Sequence, residues 1–175
     1  MKVDSLTQQD IIESIKINIV SFNKTVIERS EEPQDYHRVR DASGMYYTIN
    51  DLICCYFQDI SEAELAAVCL QKISANHFFG EGNKRTATLT ANYFLELRGY
   101  ELVLESSEEL TNYMKRIAAK ELSLSEIAET LEHKEIVRIV SSEMGRSTIK
   151  EAIYLELTKS QFKQHKTWKD YKDLG

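Results

Sequence analysis

Apolar residues recur at three- and four-residue steps through most of the chain, the spacing of helices that each bury one stripe. The clearest stripe is Ile11, Ile12, Ile15, Ile19, Phe22 and Val26, which predicts a helix over 7–29 with Thr7 or Ser5 capping its start. Ser30-Glu31-Glu32-Pro33 stops that helix, and Asp41-Ala42-Ser43-Gly44 has turn chemistry. Met45-Tyr46-Tyr47-Thr48-Ile49 is strand-like, so one arm of a short hairpin is expected near 40–50, with a helical piece over 51–58. Ser61-Glu62-Ala63-Glu64 reads as a capping box opening a helix over 62–76, with Leu65, Ala66, Cys69, Leu70 and Ile73 facing inward. The next helix begins near Asn83 and runs through Ala87, Ala91, Phe94 and Leu95 to Gly99, a natural C′ residue. Further helices are expected over 106–119 and from Ser123 or Ser125 through Ile127, Ala128 and Leu131. The tail, 133–175, holds two weaker helical patterns and a polar end around Lys163–Lys172.

Composition supports the helical reading. One proline and six glycines in 175 residues leave little material for the many tight turns of an all-β protein. With 42% apolar residues the chain buries a core of its own, which excludes a disordered tail or a disulfide-stapled miniature. Charge then divides the chain. The overall charge of −6 argues against non-specific nucleic-acid binding through a basic surface, and no direct nucleic-acid contact is expected. Residues 1–132 carry 13 basic and 22 acidic side chains, whereas 133–175 carry 9 and 6. The expected organisation is a domain over 1–132 and a helical extension over 133–175, whose basic residues are a solvated face or an interaction surface. Cys54, Cys55 and Cys69 form no CxxC pair, as expected of reduced cytoplasmic thiols, and Cys54-Cys55 reads as two small apolar side chains. No apolar run approaches the length of a membrane span, and the N-terminus lacks a signal-peptide core.

Chemistry concentrates in His77-Phe78-Phe79-Gly80-Glu81-Gly82-Asn83-Lys84-Arg85-Thr86-Ala87. This is a helix end, a loop with two glycines, and a helix N-terminus rich in phosphate-type ligands. The glycines let backbone approach a ligand, and the first N–H groups of the helix make an anion site. Lys84 and Arg85 add a point charge and a planar fork that suit phosphate oxygens, and cations there oppose the helix dipole unless an anion compensates. Among these cations the Glu81 carboxylate suits a Mg²⁺ bridging phosphates; the plain alternative is a solvated loop acid. His77 is the side chain there whose ordinary pKa suits general-base work near neutrality. Together these residues point to phosphate-ester chemistry on a nucleotide, with a hydroxyl as acceptor. His37, His133 and His165 have no partner pattern and read as structural.

The string His-x-Phe-x-Glu-Gly-Asn-x-Arg resembles the signature of the Fic/Doc family, and Asn83-Lys84-Arg85-Thr86-Ala87 is similar to its death-on-curing (Doc) branch. The likeness extends over about 60–132, through Phe94–Leu102 and Ala118–Ile127, and covers 1–59 loosely. It implies an all-α helical bundle with a short β-hairpin flap. It also implies His77 as the base that activates a target hydroxyl, Phe79 as a core anchor, and Glu81 as the Mg²⁺ ligand. Gly80, Gly82 and Asn83 would form the anion hole, with Lys84 and Arg85 on the phosphates of ATP. Two departures matter. AMP-transferring relatives carry a second arginine where this chain has Thr88, and most have proline where it has Phe78. Lysine at 84 and threonine at 88 are the Doc-like pattern, which implies a toxin that transfers a phosphoryl group. AMP transfer is the alternative within the enzymes, and an idle binding module in a toxin–antitoxin or phage-defence complex is the alternative outside them. The implied target is a protein hydroxyl, by analogy in a translation factor. No self-inhibitory string is found, Ser125–Thr130 being the nearest approach, so a separate antitoxin is the expected restraint.

Overall fold

The computed structural model describes residues 7–31, 37–105, 107–132 and 136–138. Its centre is α3 (Glu62–Ala75), buried without a break from Leu65 to Gln71. A helix that buries its whole circumference must be covered on all sides. It packs against α2 (Ala42–Tyr56), α4 (Asn83–Glu96), α5 (Glu108–Ala118) and α6 (Leu124–Glu132), while α1 (Gln8–Glu28) lies on α2 and α4. Among the described residues the strands are β1 (Tyr100–Leu102) and β2 (Ile136–Arg138), antiparallel with Tyr100 opposite Arg138 and Leu102 opposite Ile136. The fold is all-α, as the pattern predicts.

Local chemistry sets the helix starts. Thr7 accepts from the Asp10 N–H and Asp10 answers at the Thr7 N–H; Ser61 and Glu64 repeat the arrangement for α3. Ser107 caps α5, and the expected serine pair before α6 resolves to Ser123, bonded to Glu126 in both directions. Those N–H bonds hold the Asp10 and Glu126 carboxyls below the usual carboxylate range. At the far end of α4, Arg98 spreads its guanidinium over the carbonyls of Tyr56, Gln58 and Ile60 and over the Tyr56 ring. That fork ties the end of α2 to the end of α4.

The hairpin arm expected near 40–50 is not there. Residues 42–56 form one continuous helix, and Met45, Ile49, Leu52, Ile53 and Tyr56 line its buried side at helical spacing. Their burial outweighs the strand preference of Tyr46, Tyr47 and Thr48, since strand propensity is the weaker term. The supposed turn is a helix cap: the Asp41 carboxylate accepts from the Gly44 N–H at 2.7 Å. The three cysteines are buried and none is in a disulfide, and burial raises the Cys69 thiol well above its ordinary pKa. Of the expected helical extension, residues 136–138 are strand, and 139–175, with both weaker helical patterns and His165, lie outside the described residues, as does His133.

Gly44 shows how tightly the cap is built. A Cβ placed there would come within 2.1 Å of the Asp41 Oδ2. Gly44→Ala should therefore lose the cap while gaining helix propensity, two effects of about 1 kcal/mol each, and leave stability nearly unchanged. In an Asp41→Ala background the same change should stabilise by about 1 kcal/mol. Urea unfolding of the four proteins checks the cycle, and equal effects of Gly44→Ala in both backgrounds would contradict it.

Candidate functional site

The motif forms the connection between α3 and α4. Asn76 ends α3, and His77 takes up a left-handed backbone with φ of 51°, the place where helices commonly put glycine. A non-glycine residue there is held at a cost, and such strain collects at functional positions. The imidazole is exposed at the lip of the loop. Beyond it, Phe78 and Phe79 are both buried in the core. Phe79 is the anchor the sequence led one to expect; Phe78 is buried equally, which accounts for an aromatic at that position.

Asn83 closes the loop. Its Oδ1 accepts from the Phe79 N–H at 3.0 Å, and its Nδ2 donates to the Phe79 carbonyl at 2.9 Å. The Asn83 side chain is thus committed to loop shape, so any anion it serves would meet its backbone N–H. Gly80 likewise turns its N–H to the Arg38 carbonyl at 2.8 Å. Gly82, at φ of 73°, is the N-cap of α4 and supplies no side-chain cap. The first rung of the helix is the bond from the Thr86 N–H to the Gly82 carbonyl. The N–H groups of Asn83 and Lys84 precede that rung and face the end of the helix where anions are stabilised. Glu81, Lys84 and Arg85 are exposed around this end. Thr88 bonds its hydroxyl back to the Lys84 carbonyl at 3.2 Å and offers no charge.

Two further stretches support the loop, and periodicity does not reveal either. Residues 38–41 run antiparallel to 78–80: Val39 pairs with Phe79, and the Arg40 N–H donates to the Phe78 carbonyl at 2.7 Å. Val39 packs toward the core, while Arg38 and Arg40, its neighbours in this extended stretch, are exposed. Four basic residues therefore gather about one loop of an otherwise acidic domain, a distribution that concentrates anions. The second stretch is on α1. Asn23, wholly buried, donates from Nδ2 to the Glu81 carbonyl at 2.8 Å and to the Thr86 hydroxyl at 3.1 Å. Its Oδ1 meets the His37 Nδ1 at 2.7 Å. His37, read from sequence as structural, thus belongs to the frame of the loop, with its ring tilted against Phe79. A polar residue inside the α1 apolar stripe was the available signal.

A histidine, a glycine-flanked carboxylate, an uncapped helix start and a ring of cations now stand on one loop, in the order of a known signature. Residues 9–95 match the Fic/DOC family. The match takes in α1, α2 and α3 and nearly all of α4, so the platform helix lies within the matched region along with the loop. No curated protein matches the chain. No helix among the described residues is long and apolar enough to cross a membrane.

The strained backbone of this loop sets up a stability test. His77→Gly should relieve the left-handed strain and raise unfolding free energy by up to about 1 kcal/mol. Denaturant titration reads it directly, and a loss of similar size would show that the imidazole contributes packing that the exposed side chain does not suggest.

Proposed function

We propose that this protein transfers a phosphate-containing group from ATP to a hydroxyl of a target protein, as a Doc-like toxin, and that the group is the γ-phosphoryl. The observation that carries this reading is a single short connection bearing both an exposed imidazole and an uncapped helix N-terminus with Lys84 and Arg85 on its first turn. In this reading the neutral His77 imidazole takes the proton of the acceptor hydroxyl as its oxygen attacks the γ-phosphorus. The bond from that phosphorus to the β–γ bridging oxygen breaks, and ADP leaves. Lys84, Arg85 and the first N–H groups of α4 meet the charge on the phosphate chain.

Glu81 presents one exposed carboxylate beside this anion site. That donor set fits Mg²⁺, which is ordinarily held by one or two carboxylates together with substrate phosphates. Bound with the nucleotide, the ion would neutralise charge on the phosphoryl oxygens. Thr88 favours the γ-phosphoryl assignment: the position one turn after Arg85 has no second fork to hold the triphosphate in the pose that AMP transfer needs. Restraint by a separate antitoxin and a target in the translation machinery complete the reading, with a cytoplasmic site of action.

Incubating the protein with a cell lysate and ATP labelled at the α- or γ-phosphate tests it. Label is expected from γ, with a mass increase of about 80 Da on the target. Label from α with an increase of about 329 Da would mean AMP transfer, and no label from either would favour a binding module. His77→Ala should cut transfer by about 100-fold or more. Glu81→Ala should lower transfer and blunt its response to Mg²⁺; full activity in excess chelator would sink the Glu81 assignment.

A further inference from the structure

Asn23 breaks the apolar stripe of α1 at a position with 0% exposure, between Ile19 and Val26. A buried amide is tolerated only where its donors and acceptor are met, and here they are met from three directions. The Glu81 carbonyl can only accept, so the nitrogen of the Asn23 amide must face it. The oxygen then faces His37, whose Nδ1 carries the hydrogen. One side chain thereby joins α1, the stretch before α2, and the turn into α4.

The residue it grips needs gripping. Glu81 stands between Gly80 and Gly82, and glycines on both sides leave a peptide free to swing. The Gly82 turn rests directly on α1: a Cβ there would meet Val26 Cγ1 at 3.0 Å and Asn23 Nδ2 at 3.1 Å. Asn23 therefore closes the freedom that the glycines open. We propose that Asn23 is a positioning residue, which fixes the Glu81 peptide so that its exposed carboxylate stays at the α4 anion site. This rests on the reading of Glu81 as the Mg²⁺ ligand.

Two substitutions separate this role from simple core support. Asn23→Leu keeps the branched shape of the side chain, at a larger volume, and removes every side-chain bond. Asn23→Asp keeps an acceptor for His37 and for the Thr86 hydroxyl but cannot donate to the Glu81 carbonyl. Thr86→Val removes the other Nδ2 bond and leaves the Glu81 tie. Two readouts apply to the full chain: binding of a fluorescent ATP analogue as MgCl₂ is titrated, and hydrogen exchange of the peptide covering 78–82. Both Asn23 variants should raise the half-saturating Mg²⁺ concentration about 10-fold and speed exchange in that peptide, the scale on which groups that orient metal ligands act. Thr86→Val should stay within about twofold on the first readout. Asn23→Asp matching the wild type in both readouts would overturn the proposal, even if Asn23→Leu fails to fold. If analogue binding by the wild type ignores Mg²⁺, the Glu81 reading fails instead, and exchange alone then decides: faster exchange in Asn23→Asp upholds the positioning, wild-type exchange refutes it.

Discussion

Everything at the candidate site depends on how the short connection between α3 and α4 is pinned. Seven residues separate the end of one buried helix from the start of the next, and two of them, Phe78 and Phe79, are driven into the core. Burying two aromatic side chains stabilises by several kcal/mol, roughly 1.5–3 each, and it turns the polar neighbours outward. Asn83 then clasps the Phe79 peptide from both sides, and the 38–41 stretch pairs along it. His77 and Glu81 stand on either side of this anchored centre. Their separation is set by core packing, which makes a loop behave as a rigid mount.

The same pinning explains why the α4 N-terminus stays open. A serine or aspartate at position 82 would satisfy the first-turn donors with its own oxygen. Gly82 does not, and the left-handed backbone together with the close approach of Val26 and Asn23 keeps larger residues out. Lysine and arginine on the first turn add to a helix end that is already positive. An isolated helix would be weakened by this arrangement, and an anion at that end would offset the charge and meet the open donors.

Sequence reading succeeded where one residue's neighbours decide its state. The α1 and α3 starts follow from Thr7–Asp10 and Ser61–Glu64, which are local bonds between side chains three residues apart. The motif was legible for the same reason, being contiguous. It failed at α2, where Asp41-Ala42-Ser43-Gly44 serves equally as a turn or as a cap with glycine at its third helical position. Only the burial of Met45, Ile49 and Leu52 against the rest of the fold decides between them. Asn23 and His37 were illegible because their partners lie far along the chain, and one of those partners is a backbone carbonyl that every residue possesses. The Fic/DOC match over 9–95 takes in that platform, which the motif alone does not reveal.

The proposed function stands or falls with the opening of α4 as a nucleotide-phosphate site. Amide NMR during titration with ATP and Mg²⁺ tests it most directly, since an anion at a helix start shifts the N–H groups it touches. The largest shifts should fall on Asn83 and Lys84, with Gly82 close behind, and ATP should shift them far more than adenosine does. Largest shifts in the groove between α5 and α6, around Leu110, Tyr113 and Leu131, or equal shifts with adenosine, would contradict it.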